Sequence, residues 1–221
     1  MSEPDRRLTN QGQERRRQLL DAAAELFSER GYQETRVMDI CKAAGVAKGL
    51  FYWYFESKEE VFRQLNADLR TRLRKEQSAA MDPDADPLVK IRQGSEASVR
   101  FMAAHARSFA LMAVENVDRQ FLGDLRRGTE LHADDTERLV VAGIEAGLIR
   151  DEDPRLLAYS VLTTVGWFAH YHRLGRVDLD VDGLTAFVGR QIVCSLASGE
   201  KVVRENLAAP TFTAEPEPEP V

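Results

Sequence analysis

The sequence has little of what secreted, membrane-spanning or metal-binding proteins are built from. Its 221 residues hold two cysteines, Cys41 and Cys194. They lie far apart without C-x-x-C spacing, which excludes a disulfide framework and a cysteine zinc site. Mean hydropathy is −0.37, and no uninterrupted apolar run approaches the ~18 residues a membrane span needs. Met1 to Asn10 is polar and charged and lacks the apolar stretch of a signal peptide, so the chain is expected in the cytoplasm, away from membranes. Of the four histidines, His105, His132, His170 and His172, the last two are two apart and point to different sides of a helix, not to one metal. G-x-S-x-G, a phosphate loop, H-E-x-x-H and the Rossmann glycine pattern are all missing. No enzyme, cofactor or metal is therefore expected.

Strand-like alternation is also nearly absent. Long stretches instead show apolar residues at 3–4 spacing, which predicts an all-α fold of about nine helices. Helix 1 is expected from Gln11 to Arg30, with Asn10 as cap, inner residues Leu19, Ala23, Leu26 and Phe27, and Gly31 as stop. Two short helices follow, about Val37 to Ala44 and Ala47 to Tyr54. Ser57 and Glu60 form a capping box for helix 4, which runs to about Ser78. Asp86-Pro87 and Asp153-Pro154 each read as an N-cap with proline at the first helical position. Between them, helices are expected over 88–105, 107–116 and 118–147. Asp182 opens the last one. Three regions result: a helix-turn-helix domain over 1–56, a helical effector and dimerisation domain over 57–200 with helix 4 as connector, and a disordered tail over 201–221 that ends in alternating Glu and Pro.

Charge is uneven along the chain. The net of −6 divides into +2 over residues 1–80, with 15 basic and 13 acidic side chains, and −8 over residues 81–221, with 15 and 23. A mildly basic head on an acidic body suits a head that meets a polyanion. The head also carries the motif. Two short helices joined by Ala44-Gly45-Val46 are a helix-turn-helix signature, and Gly45 tolerates the positive φ of a tight turn. Ile40, Ala43 and Phe51 are spaced to close a small core with helix 1. Five consecutive aromatics, Phe51 to Phe55, cannot all face inward; Phe51 and Phe55 are assigned to the core and Tyr52 and Trp53 to the free face. Lys48 on that face can reach phosphate or guanine, and Gly49 lets the backbone approach a base edge. Tyr52 and Tyr54 offer hydroxyls to phosphate, Trp53 a flat apolar surface, and Lys58 a cation at the first turn of helix 4. Thr35, a possible cap for helix 2, and Arg36 complete the DNA-facing set.

Together these residues resemble the DNA-binding domain of the TetR family of bacterial transcriptional regulators. The resemblance rests on Leu20-Asp-Ala-Ala-Ala-Glu-Leu-Phe27, Arg30-Gly-Tyr-Gln-Glu-Thr35, Asp39-Ile40, Ala43-Ala-Gly-Val-Ala-Lys-Gly-Leu-Phe-Tyr-Trp-Tyr-Phe55 and Lys58-Glu-Glu-Val-Phe62. It implies a homodimeric repressor of a near-palindromic operator on double-stranded DNA. It places groove and phosphate contacts on Ala47, Lys48, Gly49, Tyr52, Trp53, Tyr54 and Lys58. Two departures stand out: Ala47 replaces a frequent Ser or Thr, and Trp53-Tyr54 replaces a frequent Tyr-His. Arg6, Arg7 and Arg15 to Arg17 can add phosphate contacts from an N-terminal arm.

The resemblance also implies a dimer seam on the last two long helices and a small-molecule pocket within helices 5 to 8, with helix 4 responding to the effector. Small residues at Ala158, Gly166 and Ala169 suit close helix approach. Leu184, Phe187, Val188, Gln191, Ile192 and Leu196 form a stripe on the last helix that suits the same seam. Phe101, Met102, His105, Phe109, Met112, Trp167 and His170 are the pocket candidates, and their mixture fits a mainly apolar ligand. Two other readings are an activator or dual regulator on the same fold, and a helical carrier or enzyme whose head no longer binds DNA.

Overall fold

Every regular element among the described residues is helical, and the reason is local. Apolar stripes at helical spacing are bounded by caps, glycines and prolines. The computed structural model describes residues 10–111 and 121–210, which hold ten helices. They are α1 (Asn10–Arg30), α2 (Val37–Ala43), α3 (Lys48–Tyr54), α4 (Lys58–Ala80), α5 (Pro87–Ala104), α6 (Ala106–Leu111), α7 (Leu122–Glu145), α8 (Pro154–Arg173), α9 (Val181–Leu196) and α10 (Glu200–Ala208).

The capping signals act as their chemistry dictates. Asp86 accepts a bond from the Val89 backbone at 2.9 Å, with Pro87 behind it. Asp153 does the same for Leu156 at 3.0 Å, with Pro154 behind it. Ser57 accepts from the Glu60 backbone at 3.2 Å. Two expected caps move. α9 is capped by Asp180, which accepts from Gly183 at 2.7 Å, rather than by Asp182. α2 is entered through Arg36, whose backbone N–H donates to Asp39 at 3.1 Å, and not through the Thr35 hydroxyl.

The chain divides into two compact units. The first holds α1 to α3, the start of α4 to Leu69, and Arg107 to Leu111 with Phe121. Its core is Leu19, Ala23, Leu26 and Phe27 from α1, Ile40 and Cys41 from α2, Phe51 from α3 and Val61 and Phe62 from α4. Cys41 takes the place expected of Ala43, which stands exposed. Gly45 has φ +64°, so the turn between α2 and α3 uses a left-handed residue, as its position required.

The second unit holds α4 from Arg70, α5 and α7 to α10. Leu88 and Ile91 on α5, Val140 on α7, Leu157 and Val161 on α8 and Leu184, Val188 and Ile192 on α9 form its core. Gly189 on α9 leaves room for the Glu96 side chain of α5, because an added Cβ would lie 2.5 Å from a Glu96 carboxylate oxygen. The tail expected to be disordered from residue 201 is helical over Glu200–Ala208. Val202, Val203 and Leu207 pack on the second core and Asn206 is buried, so apolar burial outweighs the polar composition there.

Candidate functional site

The expected DNA-facing residues separate into two groups. In the first, α3 is seven residues long and buries only Phe51 completely, while Phe55, just past its end, is 1% exposed. Tyr52 and Trp53 are left half-exposed, at 51% and 50%. Ala47, Lys48 and Gly49 are exposed at the helix start, and Tyr54 is half-buried. Neighbouring contacts hold this face in order. The Lys48 ammonium lies 5.7 Å from the centre of the Tyr52 ring, one turn on. The Trp53 and Tyr54 rings pack edge to face at 4.5 Å. The result is one free helical face carrying a cation, two phenols, an indole and a glycine, with its aromatic anchor sunk into the core. Arg36 stands exposed at the entry to α2.

In the second group, Thr35 and Lys58 serve the fold. Thr35 is 1% exposed, and its hydroxyl donates to the carbonyls of Gly31 at 2.9 Å and Leu26 at 3.2 Å. It closes the end of α1 and presents nothing to solvent. The Lys58 ammonium donates to the carbonyls of Tyr32 at 2.7 Å and Thr35 at 2.8 Å and sits 4.1 Å above the Tyr32 ring. Burial pushes it below the ordinary lysine value. Lys58 thus ties the start of α4 to the loop between α1 and α2, a role that tertiary packing creates and spacing alone does not reveal. On α1, Arg15 bonds Gln18, Arg17 pairs with Glu14 and Arg16 bonds Gln64 on α4, so these three of the five expected arm residues already have partners; Arg6 and Arg7 lie outside the described residues.

The second unit contains a cavity of about 410 Å³. Arg74, Lys75, Gln77 and Ser78 line it from α4, and Met81 follows just beyond that helix. Ile91 and Gly94 contribute from α5, Val161 from α8, and His132, Asp135, Thr136 and Leu139 from α7. Gly94 gives Met81 its place, because a Cβ there would lie 2.4 Å from the Met81 methyl.

None of the residues expected to line a pocket lines this cavity. Phe101 and His105 are fully buried and stacked on each other, with ring centres 4.0 Å apart. The His105 Nδ1 meets the Phe101 carbonyl at 2.9 Å and its Nε2 meets the Arg72 guanidinium at 2.8 Å, so this imidazole is a structural bolt. Met102 packs on the second core. Phe109 is half-buried and belongs to the first unit. Trp167 stands 53% exposed, and His170 bonds Arg173 at 2.8 Å. Met112 lies outside the described residues.

The lining that sequence reasoning missed had a faint signature. His132, Asp135, Thr136 and Leu139 follow i, i+3, i+4, i+7 spacing, one face of a helix whose composition looks like a solvated surface. Gly94, inside an otherwise strong helix, was the other signal, since such a glycine costs about 1 kcal/mol unless a close approach needs it.

Leu184, Val188, Ile192 and Leu196, expected at a dimer seam, are at most 1% exposed within the single chain. α8 instead leaves one stripe uncovered: Leu156, Ser160, Thr163, Trp167, Tyr171 and Leu174 just past its end are all exposed at 3–4 spacing. No helix of the described residues is long and apolar enough to cross a membrane.

Comparison with known proteins agrees with this arrangement. Residues 19–65 match the family of bacterial regulatory proteins of the tetR type. The transcriptional repressor KstR2 of Rhodococcus jostii is 32% identical over 178 residues, covering 75% of this chain and 84% of that protein. YdgC of Bacillus subtilis, a helix-turn-helix regulator, is 44% identical over 68 residues, which spans about a third of either protein (31% and 35%). The solved structure of the ketosteroid regulator KstR2 of Mycobacterium tuberculosis shares the fold, with a TM-score of 0.65 at 23% identity over 84% of this chain and 96% of that one. A helix-turn-helix head with an exposed α3 face, a body whose described elements are helical and a relative this similar over most of its length lead to one assignment: the chain belongs to the TetR family of bacterial transcriptional regulators.

Proposed function

We propose that the chain is a ligand-responsive, homodimeric repressor that acts in the cytoplasm and is released from a near-palindromic operator by a small, largely apolar effector. Residues 1–56 form the DNA-reading domain in this proposal, and the helical body binds the effector and the second copy. The observation that carries it is the α3 face. A seven-residue helix that keeps Tyr52 and Trp53 half-exposed beside Lys48 has no use for them in its own core. In a DNA groove the same side chains have phosphates, base edges and sugars to meet. Thr35 and Lys58 are excluded from this contact set by their internal bonds. Arg36 and Tyr54 stay in it.

The exposed stripe on α8 supports dimerisation. Trp167 and Tyr171 on one helix face are the residue types that anchor interfaces. Two copies joined there would present two α3 helices to successive grooves, about 34–36 Å apart. An effector that prefers the state with another spacing shifts the population off DNA, with a coupling of about 1–3 kcal/mol. Trp167→Ala is expected to convert the dimer to monomer at micromolar concentration in light scattering without changing helicity; an unchanged dimer would move the seam elsewhere.

The direct test is selection of bound genomic fragments by the purified protein, followed by titration of the best one at several salt concentrations. One enriched near-palindrome, with affinity falling as salt rises, is the expected result, and no enriched sequence would reject the proposal. The paired variants Lys48→Ala and Lys58→Met separate contact from support. Lys48→Ala is expected to weaken operator binding by about 1–3 kcal/mol with an unchanged melting curve. Lys58→Met leaves the Tyr32 and Thr35 carbonyls without their donor, and is expected to lower stability by about 1–3 kcal/mol.

A further inference from the structure

Two histidines of the second unit are alike at one ring nitrogen and unlike at the other. His105 Nδ1 faces the Phe101 carbonyl at 2.9 Å, and His132 Nδ1 faces the Gly128 carbonyl at 3.2 Å. A carbonyl oxygen only accepts, so in both rings Nδ1 carries the proton and Nε2 offers a lone pair. In His105 that lone pair receives the Arg72 guanidinium at 2.8 Å. In His132, Nε2 is buried and has no hydrogen-bond partner. His132 lines the cavity, and His105 does not.

A buried acceptor without a donor is destabilising, so its presence calls for an explanation. A molecule in the cavity supplies one. We infer that this cavity takes a largely apolar molecule bearing a neutral hydrogen-bond donor, a hydroxyl above all, which it gives to Nε2 of His132. The inference rests on the effector-binding reading above and narrows its ligand class.

The rest of the lining agrees. Met81, Ile91, Leu139 and Val161 offer apolar walls. Arg74 is bonded to Asp135 at 2.5 Å, so that cation of the lining already has a carboxylate partner. A carboxylate brought to Nε2 would meet a lone pair rather than a proton. The lone pair is also kept free at neutral pH. Burial holds the imidazole below the ordinary histidine value, and Arg70 and Arg74 on α4 lower it further, against the opposing Gly128 carbonyl and Asp135.

The test uses the full chain and matched probes at pH 7.5: 2-naphthol, 2-methoxynaphthalene and 2-naphthoate, with 1-decanol and decanoate as a flexible pair. Calorimetry is expected to show at least one alcohol binding tenfold or more tighter than its ether or carboxylate counterpart. That advantage is expected to vanish in His132→Phe. In protein labelled with 15N at histidine, the His132 signals are expected to report the Nδ1–H tautomer, with the Nε2 resonance moving when the alcohol is added. This readout decides the matter should His132→Phe fail to fold. No binding by any probe, equal binding of ether and alcohol, preference for the carboxylate, or an alcohol preference that survives in His132→Phe would each overturn the inference. Operator affinity measured alongside keeps the two readings apart. Alcohol binding through His132 that leaves operator affinity unchanged supports this site and rejects effector release. Operator release by an effector that shows no need for a donor does the reverse.

Discussion

Phe51→Ala is expected to destabilise the first unit by about 3–5 kcal/mol and to abolish operator binding with it. Phe51 is fully buried although its helix has only seven residues. Its ring meets Phe55 at 5.6 Å and Tyr52 at 5.3 Å, so truncation removes an anchor for the whole aromatic run. α3 is too short to be stable alone, and besides Phe51 it offers the core only partly buried side chains, Leu50 and Tyr54. A loss of 3–5 kcal/mol is a large share of the roughly 5–15 kcal/mol that separates a folded domain from its unfolded chain. Tyr52→Ala, on the other side of the same helix, is expected to change stability by no more than about 0.5 kcal/mol while weakening DNA binding. Denaturant unfolding and operator titration on both variants check the pair. A wild-type unfolding curve for Phe51→Ala would mean that the head is not organised around this residue.

The same contrast shows what a sequence discloses. Helix ends were legible at Asp86-Pro87, Asp153-Pro154 and Gly45 because those signals act within four residues of themselves. The outward face of α3 was legible because a short helix has only one inner side, and Phe51 and Phe55 claim it. The internal bonds of Thr35 and Lys58 were not legible because their partners, the carbonyls at Leu26, Gly31 and Tyr32, come from the end of α1 and the turn after it, whose path no local pattern gives. The cavity was misplaced for a related reason. It forms among α4, α5, α7 and α8, and its polar side is drawn from α7 residues that look solvent-facing. The aromatic residues that looked like pocket walls, Phe101 and His105, instead satisfy each other and Arg72. A buried aromatic is read from sequence as apolar volume. Whether that volume is filled or left open depends on helix packing. The α9 stripe illustrates the point again: Leu184, Val188, Ile192 and Leu196 are apolar because α5 and α8 cover them within one chain, and the uncovered stripe is the less conspicuous one on α8.

Arg92→Met is expected to cost about 3–5 kcal/mol, and the double variant Arg92→Met with Glu96→Met is expected to recover part of that loss. Arg92 and Glu96 lie one turn apart on α5, 3.3 Å from each other, with side chains only 1% and 2% exposed. The same guanidinium donates to the carbonyls of Ala209 at 2.9 Å and Pro210 at 3.0 Å, which fastens the chain just beyond α10. Its Nε is buried without a partner, so the pair is not fully satisfied and its net contribution over an apolar pair is small. Removing one member is another matter. Methionine in place of Arg92 takes away the guanidinium that faces the buried Glu96 carboxylate at 3.3 Å. The carboxylate has no room to turn toward α9, because one of its oxygens already occupies the space that a side chain at Gly189 would need. The backbone beyond α10 loses its donors at the same time, so the single variant is also expected to expose that segment to proteolysis. Replacing both charges removes the buried carboxylate together with its cation, so the loss of the Ala209 and Pro210 carbonyl bonds stays while the charge imbalance goes. Unfolding curves for the wild type, both single variants and the double variant give the coupling directly. Additive losses would show that the two side chains act independently; a double variant more stable than Arg92→Met alone would show that the main cost is a buried carboxylate deprived of its cation, not a missing bond.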